Sequence, residues 1–276
     1  MNVGVIIDLE TTGIDSSQDQ VIEVGMLEFV MTPATYVDRP ESASPPPARS
    51  GGTVAIGAGL KADMVGAYSG LQDPGRPLPP DMSALTGLSD EVLAGRSVDW
   101  PQVRQMLARA SVVIAHNAGF DRAFLERRPE LAGLELHWAC SIKHINWHRH
   151  GFRTRALNYL AADHGFVNPF AHRALFDCAT TFRVITPYLD ELVRRSHLRE
   201  FLVSATGAPF ETKDVLRSRG YRWNPEIRVW AKSMLEDEIE EERAFLAAQV
   251  YKGNPRHKEE EISGPIAPLS QAGAGH

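Results

Sequence analysis

Cysteine is scarce in this chain. Its 276 residues carry two, Cys140 and Cys178, with no paired-ligand spacing and no disulfide framework, which excludes a stapled secreted scaffold and predicts a reducing, cytoplasmic compartment. Long hydrophobic runs are also missing. No window approaches the roughly 18 apolar residues of a membrane span, and Asp8 and Glu10 interrupt the apolar run near the start before it could serve as a signal segment. A soluble protein with no membrane partner is expected. Positive charge is not in excess either: 29 Lys and Arg against 35 Asp and Glu leave a net charge of −6, whereas nucleic-acid binders usually present a basic face. Totals can mislead, because carboxylates that hold cations still count as negative and a local basic strip can coexist with an acidic tail. The length leaves room for one large domain and a small one, with a core that needs no covalent staples.

What the chain does contain starts at Val5-Ile6-Ile7-Asp8-Leu9-Glu10-Thr11-Thr12-Gly13. Side chains alternate faces along a strand, so Asp8 and Glu10 project from one side while Leu9 enters the other, packed face. Two carboxylates held side by side repel each other and tend to stay protonated unless a cation sits between them. Asp-x-Glu alone is a common spacing, and its meaning depends on residues further along the chain.

Val21 to Met31 reads as a second strand paired with the first. From about 32 to 66, prolines 40, 45, 46 and 47 with neighbouring serines and glycines predict a flexible surface insertion. A short strand is expected over Gly66–Leu71 and a helix over Asp99–Ala110, where Val103, Met106, Leu107 and Ala110 recur at helical spacing. The strand Val112–Ala115 comes next, and then a helix through Arg128. Further helices are predicted over Ala156–Asp163 and Ala171–Leu189. A hairpin followed by strand and helix alternation predicts an α/β fold, a mixed sheet with helices on both faces.

Asp121 falls in the first turn of a helix that leaves a buried strand, at the sheet edge where such folds place their sites. The helix dipole alone also favours a carboxylate there, and Asn117 could cap that helix. His172 and Asp177 are five residues apart. Five helical steps rotate by about 500°, so the two side chains converge only if His172 precedes the helix proper, which Pro169 favours. A loop histidine beside an anchored aspartate suits the activation of a water molecule.

Asp8, Glu10, Asp121, His172 and Asp177, in that order, resemble the DEDDh (DnaQ-like) family of 3′–5′ exonucleases. Ile-Ile-Asp-Leu-Glu-Thr-Thr-Gly is similar to the family's first motif, His116-Asn117-Ala118-Gly119-Phe120-Asp121 to its second, and His172 to Asp177 to its His-x4-Asp third. Pro74 to Pro77 and Ala84 to Ser89 resemble segments of the epsilon proofreading subunits of bacterial replicative polymerases. The resemblance covers about Asn2 to Leu192. It implies a ribonuclease H-like fold with a mixed five-stranded sheet flanked by helices, and two divalent cations, Mg²⁺ or Mn²⁺, as cofactors. By the same resemblance Asp8 bridges the ions, Glu10 and Asp177 serve the one that holds the attacking water, Asp121 serves the second, and His172 is the general base. Substrate contacts are implied at Leu9, Thr11, Thr12, Asn117 and Phe120, although Leu9 and Phe120 suit a core equally well.

A small α+β domain is expected over 193–250, after an exonuclease domain ending at 192, and a disordered tail over 251–276. From Glu191 to Ser233, nine Lys and Arg face five Asp and Glu. Phe201–Thr206 is predicted as a strand, Glu211–Ser218 as a helix and Tyr221–Lys232 as a hairpin. In that hairpin Arg222, Trp223, Arg228 and Trp230 interleave rings and cations as single-strand binders do, while Tyr221, Trp223 and Trp230 would equally form the core of a small domain. Glu236–Gln249 reads as an acidic helix with a solvated face. The expected activity is removal of nucleotides from nucleic-acid 3′ ends, single-stranded DNA foremost. Trimming of RNA, and a catalytically idle module that binds nucleic-acid ends, are the alternatives.

Overall fold

The computed structural model describes residues 2–33 and 59–262, and its packing divides the chain into two units between Ser196 and His197. Most of the expected proline-rich insertion, 34–58, and the end of the expected tail, 263–276, lie outside the described residues. No described helix is long and apolar enough to cross a membrane.

In the first unit β1 (Asn2–Thr11), β2 (Val21–Pro33) and β3 (Leu60–Leu71) form an antiparallel meander. Helices α1 (Pro80–Thr86), α2 (Asp90–Leu93) and α3 (Trp100–Arg109) lead to β4 (Val112–Ala115), which lies parallel to β1. Then come α4 (Ala118–Leu125), β5 (Trp138–Cys140), α5 (Ser141–His144), α6 (Leu157–Asp163), α7 (Ala174–Ile185) and α8 (Leu189–Arg195). The sheet order is β3-β2-β1-β4-β5, with β5 parallel to β4, so the expected mixed five-stranded sheet is present.

Alternation along β1 divides its core in two. Val5, Ile7 and Leu9 pack with Trp100, Val103, Leu107 and Phe124 from α3 and α4. Ile6 packs with Leu27, Phe29, Cys178 and Val184 on the α7 side. Asp8 and Glu10 therefore continue a row that starts as core and ends as acid. Opposite Asp8 stands Gly25, and a Cβ built there would lie 2.3 Å from the carbonyl carbon of Ala174 and from the N of Leu175. Only a residue without a side chain lets the first turn of α7 press onto the sheet at this point.

Several expected boundaries move. The third strand starts at Leu60, not Gly66, and β2 runs to Pro33, so both ends of the expected insertion are sheet. The helix expected over Ala171–Leu189 starts at Ala174 and ends at Ile185, because Pro187 cannot donate a helical hydrogen bond and the chain takes a 3₁₀ turn over Thr186–Tyr188 before α8.

The second unit has the sheet order β7-β8-β6-β9, from β6 (Glu200–Ser204), β7 (Arg222–Asn224), β8 (Val229–Leu235) and β9 (Lys258–Glu261). Helices α9 (Lys213–Ser218) and α10 (Ile239–Phe245) cover a core of Val203, Leu216, Tyr221, Met234 and Leu246. Strand β9 corrects the expectation of disorder from 251 onward, since Lys258–Glu261 pairs antiparallel with β6. Tyr221 belongs to the core rather than to the hairpin strands. In the expected basic stretch, Arg195 is buried with Nη1 3.5 Å from Glu191, so its charge is used internally.

Candidate active site

β1 and β4 run parallel, and their C-terminal ends open onto the same edge of the sheet. There the chain leaves β4 through Asn117, whose φ of 76° is left-handed, a conformation asparagine tolerates better than most residues. Asn117 makes no side-chain capping bond to α4, which corrects the expected cap. Asp121, buried in the first turn of α4, accepts the Leu9 N–H at 3.1 Å. From the other face, the loop into α7 delivers His172 and the first turn of α7 delivers Asp177. The Asp177 carboxylate accepts the His172 N–H at 2.8 Å on Oδ2 and the Asn168 side-chain amide at 2.7 Å on Oδ1. His172 lies outside the helix with a φ of 61°. The ligand atoms of Glu10, His172 and Asp177 lie within 4.8 Å of one another.

The electrostatics derive from that convergence. Burial, and then the charges of Asp121, Glu10, Asp177 and Glu23, raise the Asp8 carboxyl well above the carboxylate range. Burial, then Asp177 and Glu23, push Glu10 up to about 8, and burial pushes Asp121 up to about 8. Asp177 is raised by burial too, against the hydrogen bond from His172. Four acids crowded together in a low-dielectric pocket store repulsion that either protons or cations relieve. A donor set of carboxylate oxygens is what hard divalent cations such as Mg²⁺ and Mn²⁺ favour, so the residues present fit such ions.

No family model matches the chain. Among curated proteins it is 26% identical over 178 residues to a DNA polymerase III PolC-type of Streptococcus suis, covering 62% of this chain and 12% of that protein. It is 24% identical over 193 residues to the DNA polymerase III subunit epsilon of Treponema pallidum, covering 65% of this chain and 73% of the relative. The chain is a relative of the DnaQ-like 3′–5′ exonucleases. It thus spans about an eighth of the length of the PolC-type relative. A solved E. coli ExoI–ssDNA complex in its zinc-bound form shares the fold, with a TM-score of 0.53 at 10% identity over 85% of this chain and 63% of that one.

At this acidic edge of the sheet two further residues escaped sequence reasoning. Glu23 lies opposite Glu10 in the β1–β2 register and is 1% exposed. Arg173 donates to it from Nε and Nη2, both at 3.1 Å, and the Ala174 N–H adds a third bond at 3.3 Å. This fork holds the segment between His172 and α7 against the sheet and neutralises a fifth acid beside the other four. The signal was present, a glutamate inside the apolar run Val21-Ile22-Glu23-Val24 and an arginine directly after the motif histidine.

The expected substrate contacts are distributed unevenly. Leu9 is buried in the core and its N–H is taken by Asp121. Phe120 is half-buried, its ring 5.1 Å from Phe124. Thr11 Oγ1 donates to the Gly13 carbonyl at 2.5 Å, and Thr12 Oγ1 donates to Asp19 at 3.0 Å while accepting from Arg76 at 2.8 Å. These hydroxyls brace the loop after β1. In the second unit Trp223 and Trp230 are cross-strand partners with rings 5.7 Å apart. Trp223 is 47% exposed and Arg222 and Arg228 are exposed, whereas Trp230 packs partly against the core.

Proposed function

We propose that the chain is a metal-dependent 3′–5′ exonuclease that hydrolyses the terminal phosphodiester of a nucleic-acid strand, DNA in preference to RNA, and releases nucleoside 5′-monophosphates. One observation carries the reading: Glu10, His172 and Asp177 bring their ligand atoms within 4.8 Å of one another, beside Asp8 and Asp121, whose carboxyls are raised by burial. The DNA polymerase III names of the relatives favour DNA.

In this reading Asp8, Glu10, Asp121 and Asp177 hold two divalent cations, Mg²⁺ or Mn²⁺. Such ions, when bound, offset charge on the scissile phosphate and acidify the attacking water. His172, exposed on its loop, is the general base and takes the proton that this water loses as its oxygen bonds to phosphorus. The bond from phosphorus to the 3′ oxygen of the penultimate nucleotide breaks, and that oxygen is protonated from solvent. Asn168 and the His172 backbone hold Asp177, and Arg173 with Glu23 holds the loop that carries the base. At Leu9, Thr11, Thr12, Asn117 and Phe120 the loop after β1 and the start of α4 border the terminal nucleotide. Arg222, Trp223, Arg228 and Trp230 of the second unit add contacts to a single strand by stacking and charge. Two buried, free thiols suit a cytoplasmic setting.

The test is direct. Single- and double-stranded DNA and RNA, labelled at the 5′ end, are incubated with Mg²⁺, Mn²⁺ or a chelator. The wild type should yield a ladder of shortened products from DNA that both the chelator and Asp8→Ala abolish. Tight binding to 3′ ends with no ladder under any metal would refute the enzyme, and a ladder from RNA alone would refute the preference for DNA.

A further inference from the structure

The approach to the acidic cluster carries hydrophobic surface that folding leaves uncovered. Phe170 is 54% exposed and Phe176 is 44% exposed, and their rings lie 4.6 Å apart, tilted by 48°. Two large aromatic rings side by side in water are an exposed apolar patch, of the kind that marks a binding surface.

The pair is also held in place by the site itself. Asn168 donates to Asp177 Oδ1 at 2.7 Å and accepts the Phe170 N–H at 3.0 Å on its own side-chain oxygen. His172, two residues on, is bonded to the other oxygen of the same carboxylate at 2.8 Å. One ring therefore hangs from a loop tied to Asp177, and the other stands on α7 one residue before Asp177. Both rings are thus carried by the segment that holds Asp177.

Along α7 the exposed face continues from Phe176 through Ala179 to Arg183, at spacings of three and seven residues. Seven residues rise about 10 Å along a helix. The Arg183 guanidinium lies 4.1 Å from the centre of the Phe166 ring. Aromatic surface next to the acids, followed by a cation further away, is the order in which a single strand presents an unpaired base and then backbone phosphate. Bases inside a duplex have their faces covered by the stacked pairs above and below, so this surface selects bases free of a duplex.

We infer that Phe170 and Phe176 form a base-stacking platform for single-stranded nucleic acid whose 3′ end enters the acidic cluster, with Arg183 meeting backbone phosphate beyond it. The inference rests on the exonuclease reading and specifies how that site selects its strand.

The test uses the full chain and the variants Phe170→Ala, Phe176→Ala and Phe176→Trp. Each is assayed on a fluorescein-labelled oligothymidylate and on thymidine 5′-(4-nitrophenyl phosphate), a mononucleotide ester with no neighbouring base. The alanine variants should raise KM on the oligonucleotide about tenfold, with kcat changing far less. They should also shrink the ratio of kcat/KM between oligonucleotide and ester by the same factor, and tryptophan should restore it. Fluorescence anisotropy of the oligonucleotide in chelator, where nothing is cleaved, should show the same weakening. An equal loss on both substrates, or an unchanged KM and anisotropy, would overturn the platform. A wild type that cleaves neither substrate would overturn the exonuclease reading, and the platform then stands or falls on anisotropy alone.

Discussion

Replacing Gly25 with alanine adds one methyl group beneath the first turn of α7, and the structure sets the size of the effect. The added Cβ would lie 2.3 Å from the Ala174 carbonyl carbon, 2.3 Å from the Leu175 N and 2.6 Å from the Ala174 O, where ordinary contact needs at least 3.4 Å. All three are backbone atoms, so no rotamer change can relieve the clash and α7 must retreat by about 1 Å. Overpacking of this kind costs about 1–3 kcal/mol, which lowers the melting temperature by roughly 2–4 °C per kcal/mol for a unit of this size. The larger effect falls on chemistry. Asp8 faces Gly25 on β1, while His172 and Asp177 move with α7, so the acids separate. A misplacement of about 1 Å costs on the order of 10²-fold in rate. The assay is turnover of a labelled single-stranded oligonucleotide at saturating Mn²⁺, together with a thermal melt. Gly66→Ala is the control, because its Cβ would meet only Glu28, at 3.3 Å from Oε2 and 3.7 Å from Cβ, and it should leave both quantities near wild type. A Gly25→Ala protein with wild-type turnover and melting temperature would refute the reasoning.

His172→Ala should lower turnover by about 10²-fold or more while Mn²⁺ titration still shows binding, and unchanged turnover would remove His172 from the role of base. Arg173→Met strands the buried Glu23 carboxylate and should cost about 2 kcal/mol in urea unfolding, less than for a fully buried pair because Arg173 is partly solvated. Adding Glu23→Gln should recover most of that loss, whereas strictly additive losses would count against the pairing. The pH dependence has a definite sign. Glu10 and Asp121 hold protons up to about 8 in the folded chain, well above their unfolded values, so their contribution to stability is complete below the ordinary carboxylate range and is lost as pH rises toward 8. In chelator the melting temperature should fall between pH 5 and 8, and Mn²⁺ should reverse the fall at pH 8. A melting temperature that climbs over this interval in chelator would contradict the assignment.

Features with a local cause were legible in the sequence. Alternation put Asp8 and Glu10 on one face of β1, four apolar residues marked β4, and Pro169 kept His172 outside its helix. The missed features depend on partners far along the chain. Glu23 is stabilised by Arg173, 150 residues away, and the apolar run around it sets the glutamate apart without pointing to that partner. Trp138–Cys140 is too short for periodicity to register, and it is a strand because β4 offers it a parallel ladder. Lys258–Glu261 is charged throughout and reads as tail, yet an edge strand needs only backbone hydrogen bonds, which β6 supplies. In the second unit, aromatic spacing did not tell Tyr221, which is core, from Trp223, which is surface, because composition carries no information about facing.

Cys178 offers a different kind of access to this protein. Its thiol lies beneath the acidic cluster, donates to the Gly25 carbonyl at 3.2 Å, and is raised far above the usual thiol range by burial and then by the carboxylates around it. Such a sulfur is inert toward alkylating reagents while the sheet and α7 stay together. Cys140, the chain's other thiol, is also buried in the first unit. Pulse alkylation followed by mass spectrometry would therefore time the opening of the first unit alone, with Cys178 registering the moment α7 parts from the sheet and the second unit contributing no signal.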